Sequence, residues 1–102
     1  MSQKTMTILK EAIPFFDMLK DVNRQELLML LFDKGEQTVN QLTENISLSR
    51  PTVSHHLKLL LQAGLVNVRQ EGKERYYSID LRIALENLKR LVSSIENDMK
   101  ES

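Results

Sequence analysis

Residues 47–65, with the sequence SLSRPTVSHHLKLLLQAGL, contain most of the side chains suited to binding another molecule. Polar and basic groups fill the first turns of a predicted helix that begins after Ser49 and ends at Gly64. Arginine and lysine donate hydrogen bonds to base edges and phosphates, while serine and histidine both donate and accept. No nucleophile–base pair, glycine-rich phosphate loop or metal constellation accompanies them. We therefore predict a binding domain and not an enzyme.

A short helix over about residues 39–46 precedes this segment, and Thr38 with Gln41 matches a capping box at its start. The following helix has Pro51 in its first turn and an apolar stripe. That inward-facing stripe is predicted to comprise Val53, Leu57, Leu60 and Leu61. Two short helices joined by a tight turn, the second one basic on its outer face, are typical of a helix-turn-helix that enters the DNA major groove.

Two predicted strands, 66–70 and 75–79, follow the helix-turn-helix and are joined by a turn over residues 71–74 that contains Gly72. Such a hairpin is the wing of a winged helix. Across both elements we predict nine DNA-contacting residues: Ser49, Arg50, Thr52, Ser54, His55, Lys58, Arg69, Lys73 and Arg75. Arg50 can bind guanine through two hydrogen bonds, and Lys58 suits a phosphate. Thr52 is equally well explained as a helix-stabilising residue, and His56 is predicted to face inward.

The net charge of the 102 residues is zero, but the charge is unevenly distributed. The segment from Arg50 to Arg75 carries a net charge of +3 and the remainder −3. Segregated charge favours a basic face that docks on phosphates. A winged-helix module that binds proteins instead of DNA is the alternative. Pairing of the basic side chains with Glu71 and Glu74 would favour that alternative.

The two terminal helices carry apolar residues for which the small domain offers little core. The last one, capped by Asp80 and running to about Met99, has an unbroken heptad seam. Pro14 either kinks the first helix or starts one. We predict a homodimer interface made of Leu9, Ile13, Phe16, Leu81, Leu85, Leu88, Val92, Ile95 and Met99. The alternative is that the seam packs on the domain's own core.

The predicted fold is mainly α with a small β-hairpin: about five helices and a two-stranded wing in one domain, 1–102. The helix that begins after Asp21 and ends before Gly35 is its most apolar element, with Leu27, Leu28, Leu30, Leu31 and Phe32. Dimerisation helices are expected over 1–20 and 80–99, the helix-turn-helix over 38–64 and the wing over 66–79. The chain has no cysteine and no membrane-length apolar run, which favours a cytoplasmic protein without a membrane partner.

The segments LKDVNRQELLMLL, TVNQLTENISLSRPTVSHHLKLLLQAGLV and VRQEGKERYYSID together resemble the ArsR (also called SmtB) family of small bacterial repressors. The resemblance covers about residues 16–80. Its most specific pattern falls on Ser49, Thr52, Val53, Ser54, His56, Leu57, Leu60, Ala63, Gly64, Leu65 and Val66. The resemblance implies a homodimeric repressor of duplex DNA, joined through its first and last helices, with two recognition helices and two wings on one face.

Members of that family often release DNA when a metal binds to cysteines near the third helix or to Asp and His on the last helix. This chain has no cysteine, and both histidines lie in the recognition helix, so the resemblance transfers no metal site or cofactor. Three modes of control stay open: repression set by the protein's own concentration, an unidentified small-molecule effector near the dimer helices, or a protein effector. Metal-independent members with the same Ser-His-His-Leu run favour the first and third.

Overall fold

The computed structural model describes residues 1–101 and contains five helices and three strands. In chain order these are α1 (Gln3–Leu19), α2 (Val22–Lys34), β1 (Gln37–Thr38), α3 (Val39–Glu44), α4 (Arg50–Gln62), β2 (Val66–Glu71), β3 (Glu74–Ile79) and α5 (Arg82–Glu101). The three strands form one antiparallel sheet in the order β1-β3-β2. The predicted winged helix-turn-helix is confirmed.

Local capping explains where α2 and α3 begin. The Asp21 carboxylate accepts hydrogen bonds from the N–H groups of Asn23 and Arg24, which have no partner inside the helix. At α3, Thr38 Oγ1 accepts from Gln41 N while the Gln41 side chain accepts from Thr38 N. The predicted capping box is therefore present, and α3 starts where the sequence indicates.

One apolar core lies where α2, α3, α4 and the sheet meet. Leu27, Leu42, Val53, Leu57 and Leu60 are fully buried there. Burying each such side chain contributes roughly 1.5–3 kcal/mol, so this cluster holds the helix-turn-helix against the sheet. Tyr77 of β3 also packs into the core, with 5% of its surface exposed. The shared core therefore holds α4 and the wing in a fixed position relative to each other.

Helices α1 and α5 pack against each other along a second contact. Thr5, Ile8 and Ala12 of α1 are buried on the side of this contact, as are Leu91 and Ser94 of α5, while Ala84 at the start of α5 belongs to the main core. The hydroxyls of Thr5 and Ser94 hydrogen-bond to each other inside this contact. The Asp98 carboxylate accepts from Ser2 N, and this bond lowers the pKa of Asp98. The predicted heptad seam therefore lies on another face of α5 from the one that packs on α1.

Asp80 links the base of the wing to α5. Its carboxylate accepts hydrogen bonds from Arg82 N and from the side chains of Arg82 and Asn67. The Arg82 guanidinium is the main cause of the strongly lowered pKa of Asp80. Asp80 caps α5 as predicted, although α5 starts two residues after Asp80 and continues to Glu101.

Four details were either left open by the sequence or differ from its predictions. Pro14 does not start a helix, because α1 begins at Gln3 and passes through Pro14. Leu61 was predicted to face inward but is 37% exposed, and Phe32, counted among the apolar residues of the predicted core helix, is 66% exposed. Both lie at the edge of their helix's buried stripe, since consecutive residues are about 100° apart around a helix. Strand β1 was not predicted, because two residues are too short to show strand alternation.

Candidate nucleic-acid interface

Helix α4 and strand β3 border an exposed groove of about 710 Å³. A smaller concavity of about 160 Å³ beside it is lined in part by α3 and by the turn of the wing. Six of the nine predicted DNA-contacting residues line one or both: Arg50, Ser54, His55, Lys58, Lys73 and Arg75. The structure thus places residues from two separate elements on one surface, which we call the groove face.

The helical period of α4 separates the groove face from the core. Val53, Leu57 and Leu60 are completely buried on one side of the helix. His55 and Lys58 lie on the opposite side of the helix and are exposed, while Ser54 lies between the two sides and is half-buried. Arg50 is in line with Leu57 but is exposed at the first position of α4. Packing of the apolar stripe therefore leaves His55 and Lys58 in solvent, and the start of the helix leaves Arg50 there.

Glu74 also lines the smaller concavity, but the basic side chains of the groove face form no ion pair within residues 1–101. Within residues 1–101, Lys58, Lys73 and Arg75 take part in no ion pair. Arg50 donates from Nε to the neutral amide oxygen Oδ1 of Asn40, 2.7 Å away. Four unpaired cations on one concave surface generate a positive potential suited to a polyanion.

Arg69 is differently placed from the other wing cations. Its guanidinium donates three hydrogen bonds to the Glu36 carboxylate, two from Nε at 3.0 and 2.8 Å and one from Nη2 at 2.7 Å. It donates a further one to Glu71 at 2.7 Å. It also stacks over the Tyr76 ring, with Cζ 4.5 Å from the centroid. The bonds to Arg69 lower the pKa of Glu36, and the partner carboxylates raise the pKa of Arg69. Arg69 joins the wing to the loop between α2 and β1 and does not line the groove face.

Ser49 and Thr52 also lie outside the groove lining. Their hydroxyls are 2.9 Å apart and hydrogen-bond to each other. Ser49 is the N-cap residue of α4 as predicted, but its side chain accepts no helix N–H. Thr52 is only partly exposed. This local pair matches the helix-stabilising alternative for Thr52.

The two histidines have different environments. His55 is exposed in the groove, while His56 is buried with 8% of its surface exposed, as predicted. His56 Nδ1 has no hydrogen-bond partner among residues 1–101. The adjacent ring of His55 lies 6.1 Å away, centroid to centroid. His56 therefore belongs to the inner stripe of α4, and His55 is the histidine available to a ligand.

Asn40 also belongs to this surface and was not predicted from the sequence. Asn40 lies in the first turn of α3, ten residues before Arg50, and contacts it only because the two helices cross at the turn. Its position after the Thr38 cap, on the exposed side of a short helix, is the one signal in the sequence. That signal is common to many solvent-exposed residues and has no specificity.

Two further findings concern the described residues as a whole. No group of three or more His, Cys, Asp or Glu side chains among residues 1–101 is arranged to hold a metal ion. No helix in that range combines the length and the apolar character needed to cross a membrane.

Comparison with known proteins agrees with this geometry. The family described as "Bacterial regulatory protein, arsR family" matches residues 21–68, which run from the cap of α2 into β2. The Arsenical resistance operon repressor of Staphylococcus aureus is 37% identical over 70% of this chain and 67% of its own length. The Transcriptional repressor SdpR of Bacillus subtilis is 29% identical over 82% of this chain and 96% of its own length.

A solved structure extends the similarity to the terminal helices. The ArsR-like Transcriptional Regulator from Rhodococcus sp. RHA1 superposes with a TM-score of 0.76 at 25% identity, covering 99% of this chain and 88% of that one. The match therefore includes α1 and α5 as well as the winged helix. Because its sequence matches these relatives and its fold matches this structure, the chain belongs to the ArsR family of transcriptional regulators and is a DNA-binding regulator.

Proposed function

We propose that the protein is a homodimeric repressor that binds an inverted-repeat operator through the groove face. The first turns of α4 enter the major groove, where Arg50, Ser54 and His55 contact base edges. Lys58 on α4 and Lys73 and Arg75 on the wing contact phosphates, which set the register of the protein on the duplex. The convergence of these six side chains on one surface, where the four cations form no ion pair within residues 1–101, is the observation that carries the proposal.

The charge pattern favours DNA over a protein-binding module. Among the five predicted DNA-contacting arginines and lysines, Arg69 alone forms an ion pair with Glu71. None of the five forms an ion pair with Glu74 within residues 1–101. We assign Arg69 to positioning the wing, and Ser49 and Thr52 to the start of α4. Arg50, Lys58, Lys73 and Arg75 keep their charge available for a nucleic acid.

The exposed apolar face of α5 supports the homodimer. Leu85, Val92 and Met99, spaced by seven, are 52%, 54% and 71% exposed in the single chain. Leu81 is 44% exposed, while Leu88 and Ile95 are half-buried. On α1, Ile13 and Phe16 are 48% and 42% exposed and Leu9 is half-buried. A heptad seam of this kind is stable in water when a second helix covers it.

Two-fold symmetry determines the form of the operator. An isologous dimer presents two identical recognition helices, so its site is an inverted repeat. The half-sites are expected about one helical turn apart, roughly 10–10.5 base pairs centre to centre.

Selection of bound duplexes from a random pool, in the presence of a chelator, tests this proposal. We expect an inverted repeat, and an affinity that falls steeply as salt rises from 50 to 200 mM, as for proteins with about six or more phosphate contacts. The chelator is included because the chain has no cysteine and both of its histidines lie on α4. Failure to enrich any motif, with only weak salt-sensitive binding, would favour the protein-binding module.

A further inference from the structure

The contact between Asn40 and Arg50 joins the two helices of the helix-turn-helix on the groove face. Arg50 is the first residue of α4, and Asn40 is the second residue of α3. Arg50 Nε donates to Asn40 Oδ1 at 2.7 Å, a short hydrogen bond from a charged donor. Both side chains are exposed and both line the smaller concavity with Lys73 and Arg75.

This hydrogen bond engages one particular edge of the guanidinium group. The five N–H donors of arginine lie in one plane and form a rigid fork. With Nε bound to Asn40, the two terminal nitrogens, Nη1 and Nη2, remain as a pair of parallel donors. Such a pair matches the O6 and N7 acceptors of guanine in the major groove.

Arg50 is held by a neutral amide, that of Asn40, whereas Arg69 is held by two carboxylates. Glu36 and Glu71 hold Arg69 with carboxylates, which orient its guanidinium and also cancel its charge. The amide of Asn40 orients Arg50 and leaves its full positive charge in place. No carboxylate within residues 1–101 forms an ion pair with Arg50. The arrangement therefore suits a side chain that must approach DNA in a defined orientation.

We infer that Asn40 is a positioning residue that makes Arg50 selective for guanine, so each half-site of the operator contains a G·C pair opposite Arg50. The inference rests on the proposed function. Asn40 acts by restricting the orientation of the guanidinium group before DNA binds, which reduces the conformational entropy lost on binding. It contributes to discrimination between bases more than to overall affinity.

A double-mutant cycle on base preference tests this role. Wild type, Asn40→Ala, Arg50→Ala and the double variant are titrated with four operator duplexes that differ only at the base pair opposite Arg50. We expect Arg50→Ala to abolish the preference for guanine. Asn40→Ala should reduce it about three- to tenfold, the value of one hydrogen bond, and should change affinity for a random duplex by less than about twofold. The double variant should equal Arg50→Ala, because the two residues act together.

Two controls separate positioning from stability. Asn40→Asp keeps the oxygen acceptor, so it should retain the guanine preference while binding every duplex more weakly, because it adds negative charge. Asn45→Ala removes side-chain hydrogen bonds at the other end of α3, to Lys34 and Gln41, without touching Arg50. It should leave base preference unchanged even if it lowers Tm.

The outcomes separate failure of this inference from failure of the proposed function. A wild-type preference for guanine that survives Asn40→Ala would overturn the role of Asn40 and leave the operator model intact. A wild type without preference at any base pair would overturn both. If Asn40→Ala does not fold, the comparison of wild type with Asn40→Asp and Arg50→Ala still decides, because loss of the guanine preference in the Asp variant contradicts the inference.

Discussion

The groove face and the α5 seam are both exposed, but their chemistry is opposite. On the groove face the exposed groups are cations and hydrogen-bond donors, which interact well with water and better with an ordered polyanion. On the α5 seam the exposed groups are the apolar side chains of Leu85, Val92 and Met99. Each methylene that they expose to water raises the free energy of the folded chain. The groove face can therefore stay exposed to water when no DNA is bound. The α5 seam is expected to be covered whenever the chain is folded.

This difference implies an order of events. We expect dimerisation through α5 to depend on apolar burial and to persist in high salt, whereas DNA binding depends on charge and weakens in salt. We therefore expect the free protein to be a dimer, and the dimer to be the form that binds DNA. The most informative experiments perturb one surface and ask whether the other responds as this order requires.

The largest effect is expected from a charge placed on the seam. Val92→Glu puts a carboxylate at the centre of the α5 seam and should give a monomer by sedimentation analysis. Operator affinity should then fall about 100-fold or more, because two linked half-site contacts become independent. Asn97→Glu, on the exposed opposite side of α5, is the matched control and should remain dimeric. A monomeric Val92→Glu variant with wild-type operator affinity would exclude the coupling of the two surfaces.

A smaller effect distinguishes the two arginines of the wing. Arg75 has no ion-pair partner within residues 1–101, while Arg69 is held by Glu36 and Glu71. Arg75→Ala should weaken binding to all duplexes and reduce the slope of log affinity against log salt by about 0.9, the value of one phosphate contact. Arg69→Ala should leave that slope unchanged and alter affinity by less than about twofold. Equal slopes for the two variants, both below wild type, would show that Arg69 leaves its carboxylates to bind DNA.

The third prediction concerns Asp80, at the junction of the wing and α5. Its pKa is lower in the folded chain than the ordinary value of 3.8, so folding favours the ionised form. This stabilisation is complete above about pH 4 and is lost as pH falls further, because the proton binds the unfolded chain more readily. Asp80→Asn should lower stability at pH 7 and flatten the decline between about pH 4 and 2 in urea titrations. An unchanged acid decline would mean that other carboxylates, such as Glu36 and Asp98, account for it.

Much of the recognition helix could be predicted because its signals are local. The capping box at Thr38, the stripe of Val53, Leu57 and Leu60 and the stop at Gly64 all act within a few residues. Gly64 has a φ of 75°, which glycine adopts without steric cost. The fold and the element order follow from such signals.

The features that were not predicted depend on contacts between parts of the chain that are distant in sequence. The bonding of Arg69 to Glu36 joins positions 33 apart, and nothing in the wing's own sequence indicates it. The two-residue strand β1 exists only because β3 offers it hydrogen bonds. Leu61 differs from Leu60 only in its angle around α4, and packing decides which one is buried. Local patterns determine the elements, whereas the pairing of charged side chains requires the assembled fold.

Amide hydrogen exchange of the whole chain, with and without a selected operator duplex, tests the division between the two surfaces most directly. We predict that DNA slows exchange in the first turns of α4 and across the turn into β3. Exchange in α5 should already be slow in the free protein at concentrations where it is a dimer, and DNA should change it little. DNA-dependent protection concentrated in α5, with α4 and the wing unaffected, would contradict the account.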